Sequence, residues 1–217
     1  GSDKTVSLRN QNINNTQGNI NSSTNINIQA QQVDNTQGKI VSEQGTTLQS
    51  TALTNTEGQV QASSLDIKTG DLTNQKGTLQ TTVGDLNLTG KNINNGLGRD
   101  DQGVIFSSGN LTAYADQLDS SGTIASKNDL SLNIVNTLNN QGQIAASGNV
   151  DVKANQLNAS AQSNIAAGSQ IDGTTLASPK NLNIKMEPDN AMLDEVIVVG
   201  YGSMKKSDLT GSVSSVA

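Results

Sequence analysis

The 217-residue chain is acidic, with 13 Lys and Arg against 19 Asp and Glu, a net charge of −6 and a pI near 4.5. It has neither cysteine nor histidine, which excludes disulfides and removes the commonest general base and metal ligand, while the acidic balance speaks against binding nucleic acid or anionic lipid. Only 32% of it is hydrophobic and 1% aromatic, little apolar mass for an ordinary globule, and no apolar run of about 18 residues could span a membrane as a helix.

Gly1-Ser2 reads as a cloning remnant, so residues 1–3 are a lead-in. From residue 4 a turn-like stretch recurs: Asn14-Asn15-Thr16-Gln17-Gly18-Asn19-Ile20, Asp34-Asn35-Thr36-Gln37-Gly38-Lys39-Ile40, Thr54-Asn55-Thr56-Glu57-Gly58-Gln59-Val60, then Asn74-Gln75-Lys76-Gly77-Thr78-Leu79. Later copies are Asp119-Ser120-Ser121-Gly122-Thr123-Ile124 and Asn139-Asn140-Gln141-Gly142-Gln143-Ile144, with a degenerate copy ending at Ile165. The glycine steps are 20, 20, 19, 26 (to Gly103), 19 and 20. Self-similarity at this period predicts a solenoid.

Between the turns, aliphatic residues alternate with polar ones: Ile26 and Ile28, Leu86 and Leu88, Leu130, Leu132 and Ile134, Val150, Val152 and Ala154, and Leu182 and Ile184. Period two predicts strands with one buried face. A lone aliphatic follows, as at Ile13, Val33, Leu53, Leu72, Ile93, Leu118, Leu138 and Leu157. Each coil therefore offers a strand, a corner, a second inward aliphatic, a glycine turn and a third, which makes three short sides. One coil buries four or five aliphatics at roughly 1.5–3 kcal/mol each, against about 1–2 kcal/mol of backbone entropy per ordered residue. It is not stable alone; stacked coils share a core and satisfy each other's backbone groups, and equivalent Asn and Ser residues can form hydrogen-bonded ladders. The two prolines, Pro179 and Pro188, lie near the end, where they spare the ladder. The expected fold is all-β: a right-handed parallel β-helix of about nine coils over residues 4–185, roughly 40–45 Å long at about 4.8 Å per coil, with an extended C-terminal tail. Residues 96–103 are an insertion expected to bulge from the turn between Ile93 and Ile105.

The run Leu138-Asn139-Asn140-Gln141-Gly142-Gln143-Ile144-Ala145-Ala146-Ser147-Gly148-Asn149-Val150-Asp151-Val152 resembles the filamentous haemagglutinin repeats of two-partner secretion exoproteins, which include adhesins and contact-dependent growth inhibition proteins. The likeness covers about residues 4–178. It implies a secreted, noncatalytic β-helical stalk on a Gram-negative cell surface, and a lack of cysteine suits a chain that crosses the outer membrane unfolded.

After Ile184 the composition changes. Residues 186–192, with Glu187-Pro188-Asp189-Asn190, read as a linker. The acidic pair, four aliphatics, Gly200-Tyr201-Gly202, the lysines and Leu209-Thr210-Gly211-Ser212-Val213 within Leu193–Val216 resemble the TonB box and plug start of SusC-like TonB-dependent transporters. That resemblance makes Asp194, Glu195, Val196, Ile197, Val198 and Val199 the partner-binding strand, and the C-terminal domain of TonB its partner by β-augmentation; the parent of this tail would sit in the outer membrane, facing the periplasm. On composition alone Glu195-Val196-Ile197-Val198-Val199 reads as one more buried strand capping the solenoid. Two such likenesses in one chain suggest a chimera, without the barrel that transport requires.

A second function class makes the rod itself an adhesive surface for glycans or proteins, with Arg99, Asp100 and Asp101 of the insertion as contact residues. Calcium at Asp100 and Asp101 and a phosphate loop at Gly96-Leu97-Gly98 are weaker readings, as is polysaccharide cleavage, because the acidic residues are scattered. No cofactor or metal is expected, the rod is expected to be monomeric, and Phe106 and Tyr114 are expected to serve local packing.

Overall fold

The structure is a computed structural model and describes residues 4–175 and 184–186. Its repeating unit is visible in the second coil, where Ile26–Gln29, Gln32–Asp34 and Lys39–Ser42 are strands. Alternation buries Ile26, Ile28, Val33 and Ile40 and turns Asn27 and Gln29 to solvent. The chain then rises one layer and repeats, so Ile28 lies beside Leu48, Val33 beside Leu53 and Ile40 beside Val60, all in parallel register. Identical inward positions thus stack into continuous aliphatic columns, and each layer shields the next from water.

The described strands form two parallel sheets, one of 14 strands and one of 9. The protein is an all-β parallel solenoid of about eight turns, close to the nine expected. The larger sheet contains the first two sides of every coil. They merge because Leu111–Ser120, Leu130–Asn140 and Val150–Ala159 run unbroken through the corner that Asn10 and Gln11 interrupt in the first coil. Register shifts at Ala115/Gln117 and between Ile134 and Thr137 absorb the bend. These irregularities, like a β-bulge elsewhere, bend a strand without ending it, so the insertion is not the sole departure from regularity.

One assignment is corrected at the C-terminal end. Ile184 does not continue the Leu132–Val152 column. It pairs with Ile165 in the smaller sheet, while Ile171–Thr175 pairs with Val150–Ala154. The alternation at Ile171 is masked because Gly173 occupies the position opposite Val152, leaving one aliphatic where two would announce a strand. The extended tail, Leu182, most of the 186–192 linker and the partner-binding strand Asp194–Val199 lie outside the described residues.

Candidate interaction surface

The glycine turns fix where surface features emerge. Gly58 lies so close to the coil below that an added Cβ would sit 2.1 Å from the Asn35 carbonyl oxygen, and at Gly77 the same contact with Asn55 would be 1.9 Å. Here glycine is required by neighbouring backbone rather than by its own torsion angles. The positive φ falls one residue earlier, on Gln17, Gln37, Glu57 and Lys76 (53–55°). This conformation is costly for a residue with a Cβ. Part of the cost is offset by side-chain bonds along the axis: Gln17 Nε2 donates to Gln37 Oε1 at 2.9 Å and Gln37 Nε2 to Glu57 Oε2 at 2.8 Å.

Behind the turns runs a buried amide ladder. Asn15 Nδ2 donates to Asn35 Oδ1 at 2.6 Å, Asn35 to Asn55 and Asn55 to Asn74 at 2.7 Å, and Asn74 to Asn95 at 2.8 Å. Each of these amides also donates to a backbone carbonyl of the coil above, Asn55 to Thr78 O at 3.2 Å for example. At Asn95 the ladder passes to Ser120 Oγ at 3.2 Å.

The insertion opens between two of these anchors. Asn95 keeps its place in the ladder, and Gly103 packs against Asn74 as Gly77 packs against Asn55. The intervening loop is folded on itself: Asp101 Oδ1 accepts from the backbone N–H of Leu97 at 3.2 Å and Gly98 at 2.7 Å, and Ser121 Oγ donates to Gly98 O at 2.9 Å. Asp101 therefore holds the loop in shape, whereas Arg99 and Asp100 are exposed and Leu97 is 54% exposed. Among the described residues no group of three or more acidic side chains could hold a metal ion.

Gly96 and Leu97 form one wall of an open groove of about 260 Å³, floored by Asp119, Asn139, Asn158 and Ser160. Its amides saturate one another: Asn139 Nδ2 donates to Asp119 Oδ1, and Asn158 Nδ2 to Asn139 Oδ1 at 2.7 Å. Ser160 Oγ is buried without a partner. Such a row of fixed donors and acceptors can recognise hydroxyls or peptide groups. The insertion was legible from the 26-residue glycine step; the groove floor was not, because Asp119, Asn139 and Asn158 converge only through coil-to-coil register.

The aromatics differ from each other. Tyr114 is 45% exposed on the larger sheet, while Phe106, 8% exposed, packs with Ala125 on the outside of the smaller one. No helix among the described residues is long and apolar enough to cross a membrane.

Comparison with known families agrees with this geometry. Residues 2–105 and 106–184 match the haemagglutinin repeat. The chain belongs to the haemagglutinin repeat family. Shorter likenesses connect this haemagglutinin-repeat chain to TonB-dependent receptors. It is 54% identical over 43 residues to TonB-dependent receptor P26 of Formosa agariphila, covering 20% of the chain and 4% of the receptor. It is 50% identical over 36 residues to receptor P3 of the same organism (17% and 4%), and 49% identical over 35 residues to TonB-dependent receptor SusC of Bacteroides thetaiotaomicron (16% and 4%). The chain thus spans about 4% of the length of each of these relatives, and matches this short fit the SusC-like segment. No solved structure matches the chain. Haemagglutinin repeats wound into a solenoid fit a structural, adhesin-like stalk.

Proposed function

We propose that the solenoid is the noncatalytic stalk of a secreted bacterial surface exoprotein and that Asp194–Val199 is a strand that pairs with the C-terminal domain of TonB. The observation that carries the stalk is the uninterrupted column of parallel coils, a geometry that sets length and presents side chains in rows without converging titratable groups on a cavity. The strand reading rests on the TonB-box sequence pattern and on the likeness to TonB-dependent receptors, which also supports an outer-membrane or cell-surface setting and separate parents for rod and tail. In such pairing the backbone supplies affinity and alternate side chains supply selectivity. Purified TonB C-terminal domain should bind the chain in a calorimetric titration, and deletion of residues 193–199 should abolish the heat signal. Equal binding by the shortened chain sinks the pairing.

The groove beside the insertion favours a second reading, direct adhesion to glycans or proteins through Arg99, Asp100 and the amide floor. Removing residues 97–101 leaves Asn95-Gly96-Gln102-Gly103, a turn of the same form as Asn15-Thr16-Gln17-Gly18. If the groove is adhesive, that variant loses binding to cells while its β-sheet circular dichroism is kept; unchanged cell binding removes this reading.

A further inference from the structure

The first side of the rod is a polar face with one apolar island. Among the described residues four large apolar side chains stand exposed, Val83, Leu97, Tyr114 and Val135, and the last two fall together. Leu111–Ser120 and Leu130–Asn140 are adjacent strands of the larger sheet, and Tyr114 lies beside Asn133 in their register. Ala113, Ala115, Leu132 and Ile134 are buried in the core, so Tyr114 and Val135 point outward, each 45% exposed. They are diagonal neighbours, about 7–8 Å apart along the backbone. Thr89 and Asn133 flank Tyr114 from the coils on either side, and Asn87, Thr112 and Ser131 form the adjoining column.

These five polar residues differ from those on the second side. There, neighbouring coils satisfy each other: Asn92 Nδ2 donates to Asp71 Oδ1 and Asn158 Nδ2 to Asn139 Oδ1, both at 2.7 Å. Around Tyr114, no side chain of Asn87, Thr89, Thr112, Ser131 or Asn133 is hydrogen-bonded to another described residue, which leaves their amides and hydroxyls open to a ligand. Charges at the rim are balanced. Lys91 and Asp116 share one corner, where the Asp116 N–H donates to the Lys91 carbonyl at 3.0 Å, and Lys153 Nζ pairs with Asp151 at 2.9 Å. Both edges of Leu111–Ser120 are occupied by neighbouring strands, so a peptide finds no free backbone to which it could add as a strand.

We propose that this face binds a neutral glycan of flat, equatorially linked pyranose rings, with Tyr114 as the stacking platform. A pyranose presents an apolar C–H face ringed by hydroxyls. The C–H face covers the Tyr114 ring and Val135, and the hydroxyls meet the open amides and hydroxyls around them. Tyrosine suits the contact because its ring is apolar while its O–H stays wet. Coils about 4.8 Å apart repeat the polar groups at close to the length of one sugar, so a chain laid along the axis meets similar partners at successive rings. The balanced rim calls for no ionic group on the ligand. The site lies on a different side of the rod from the groove beside the insertion and does not depend on that groove's being adhesive.

The test is saturation-transfer NMR on the full chain with cellohexaose, a flat neutral hexamer of β-linked glucose, as the probe. Saturation should pass to the ring C–H protons of the sugar, and Tyr114→Ala should weaken binding about fivefold. Tyr114→Phe keeps the ring and should keep most of the binding. Tyr114 is exposed, so both substitutions spare the core, and unchanged far-UV circular dichroism verifies the fold. The C6-oxidised form of cellohexaose, with carboxylates on its rings, should bind less well to a chain of net charge −6. Deleting residues 97–101 should leave the cellohexaose signal as it is. Absence of transfer, equal binding by Tyr114→Ala, equal or tighter binding of the oxidised sugar, or loss of the signal on deleting 97–101 would each overturn the assignment. Tyr114-dependent adhesion to cells stripped of their glycans would overturn it too, by giving the face to a protein.

Discussion

In the four coils before the insertion the turn into the smaller sheet takes four residues, Asn15–Gly18 in the first and Asn74–Gly77 in the fourth. In the first two coils after it the same turn takes two, Ser121–Gly122 and Gln141–Gly142, and in the third it takes four again, Ser160–Ser163. The earlier coils spend the extra residues on a buried asparagine ladder and a left-handed residue before the glycine; the later coils have serine at Ser120 and asparagine at Asn140, and their first two sides run as one strand. Inward columns continue across the change without a break: Ile93 pairs with Leu118 and Ile105 with Ile124. The two blocks that match the haemagglutinin repeat meet at residue 105/106, in the strand Val104–Ser107 that directly follows the insertion. The aliphatic columns define the fold, and the turn is the part free to vary. The four-residue turns before the insertion and the two-residue turns after it share a glycine, and for the same reason: an added Cβ at Gly122 would lie 1.9 Å from Gly103 O; the last turn, Ser160–Ser163, does without one.

The largest effect should therefore come from Gly58→Ala, which forces the coils apart at a contact that cannot relax through a side chain. A loss of about 3 kcal/mol is expected, measured by urea unfolding, with Gly122→Ala equally damaging. Gly98→Ala should be silent, because its Cβ would meet nothing closer than 3.6 Å. If Gly122→Ala were tolerated, the two regions would differ in more than turn length.

Second in size is the ladder itself. Asn55→Ala orphans the acceptor of Asn74 on one side and a donor of Asn35 on the other, in a site that is 0% exposed. Unpaired buried groups cost about 1–3 kcal/mol each, so a loss of about 2–3 kcal/mol is expected. Ser120→Ala removes a single acceptor for Asn95 and should cost about 1 kcal/mol. Equal losses would mean that the serine coils rely on this column as heavily as the asparagine coils do.

These contrasts mark how far the sequence could be read. The period, the strand faces and the insertion were legible because every coil places Leu, Ile or Val at the same inward positions. The left-handed residue was not, since Gly18 invites the assumption that glycine takes the positive φ, when Gln17 does. Ile171 was missed because Gly173 breaks its alternation, which left Ile184 to be assigned to the wrong column. On the outside of the smaller sheet Ala directly follows Ile at Ala125, Ala145 and Ala166, where the third and fourth coils have Gln61 and Gln80, but a small residue outside a strand looks unremarkable until register stacks three of them. The groove floor depends on register alone and leaves no local trace.

A smaller effect is expected from excising residues 97–101. The shortened turn keeps both anchors, Asn95 and Gly103, and puts Gln102 where Gln17 stands in the first coil. Shortening a loop changes closure entropy by well under about 1 kcal/mol, while the bonds from Asp101 and Ser121 are lost. The midpoint of thermal unfolding should move by only about 2–4 °C. A collapse in stability would show that the loop, and not the flanking anchors, joins the two halves of the rod.

The finest test concerns a carboxylate in the first region's turn. Asp34 Oδ1 accepts from Thr36 Oγ1 at 2.6 Å and from the Thr36 backbone N–H at 2.9 Å; Asn14 and Asn94 make the backbone contact with an amide oxygen instead. The Thr36 hydroxyl, then its N–H, hold the Asp34 carboxyl below the ordinary value of 3.8 against the opposing effect of burial. Because the folded value is depressed, the stabilisation is complete above the unfolded value and disappears as pH falls through the folded one. Asp34→Asn keeps the acceptor and removes the charge. The parent should therefore be more stable than the variant at pH 6, by on the order of a few tenths of a kcal/mol after allowance for solvent screening, and the gap should close as the pH falls below the ordinary carboxyl value and through the depressed folded one. A gap that widened on acidification would mean that the charge is repelled in the fold, and that the asparagines at the equivalent positions relieve a strain that Asp34 imposes.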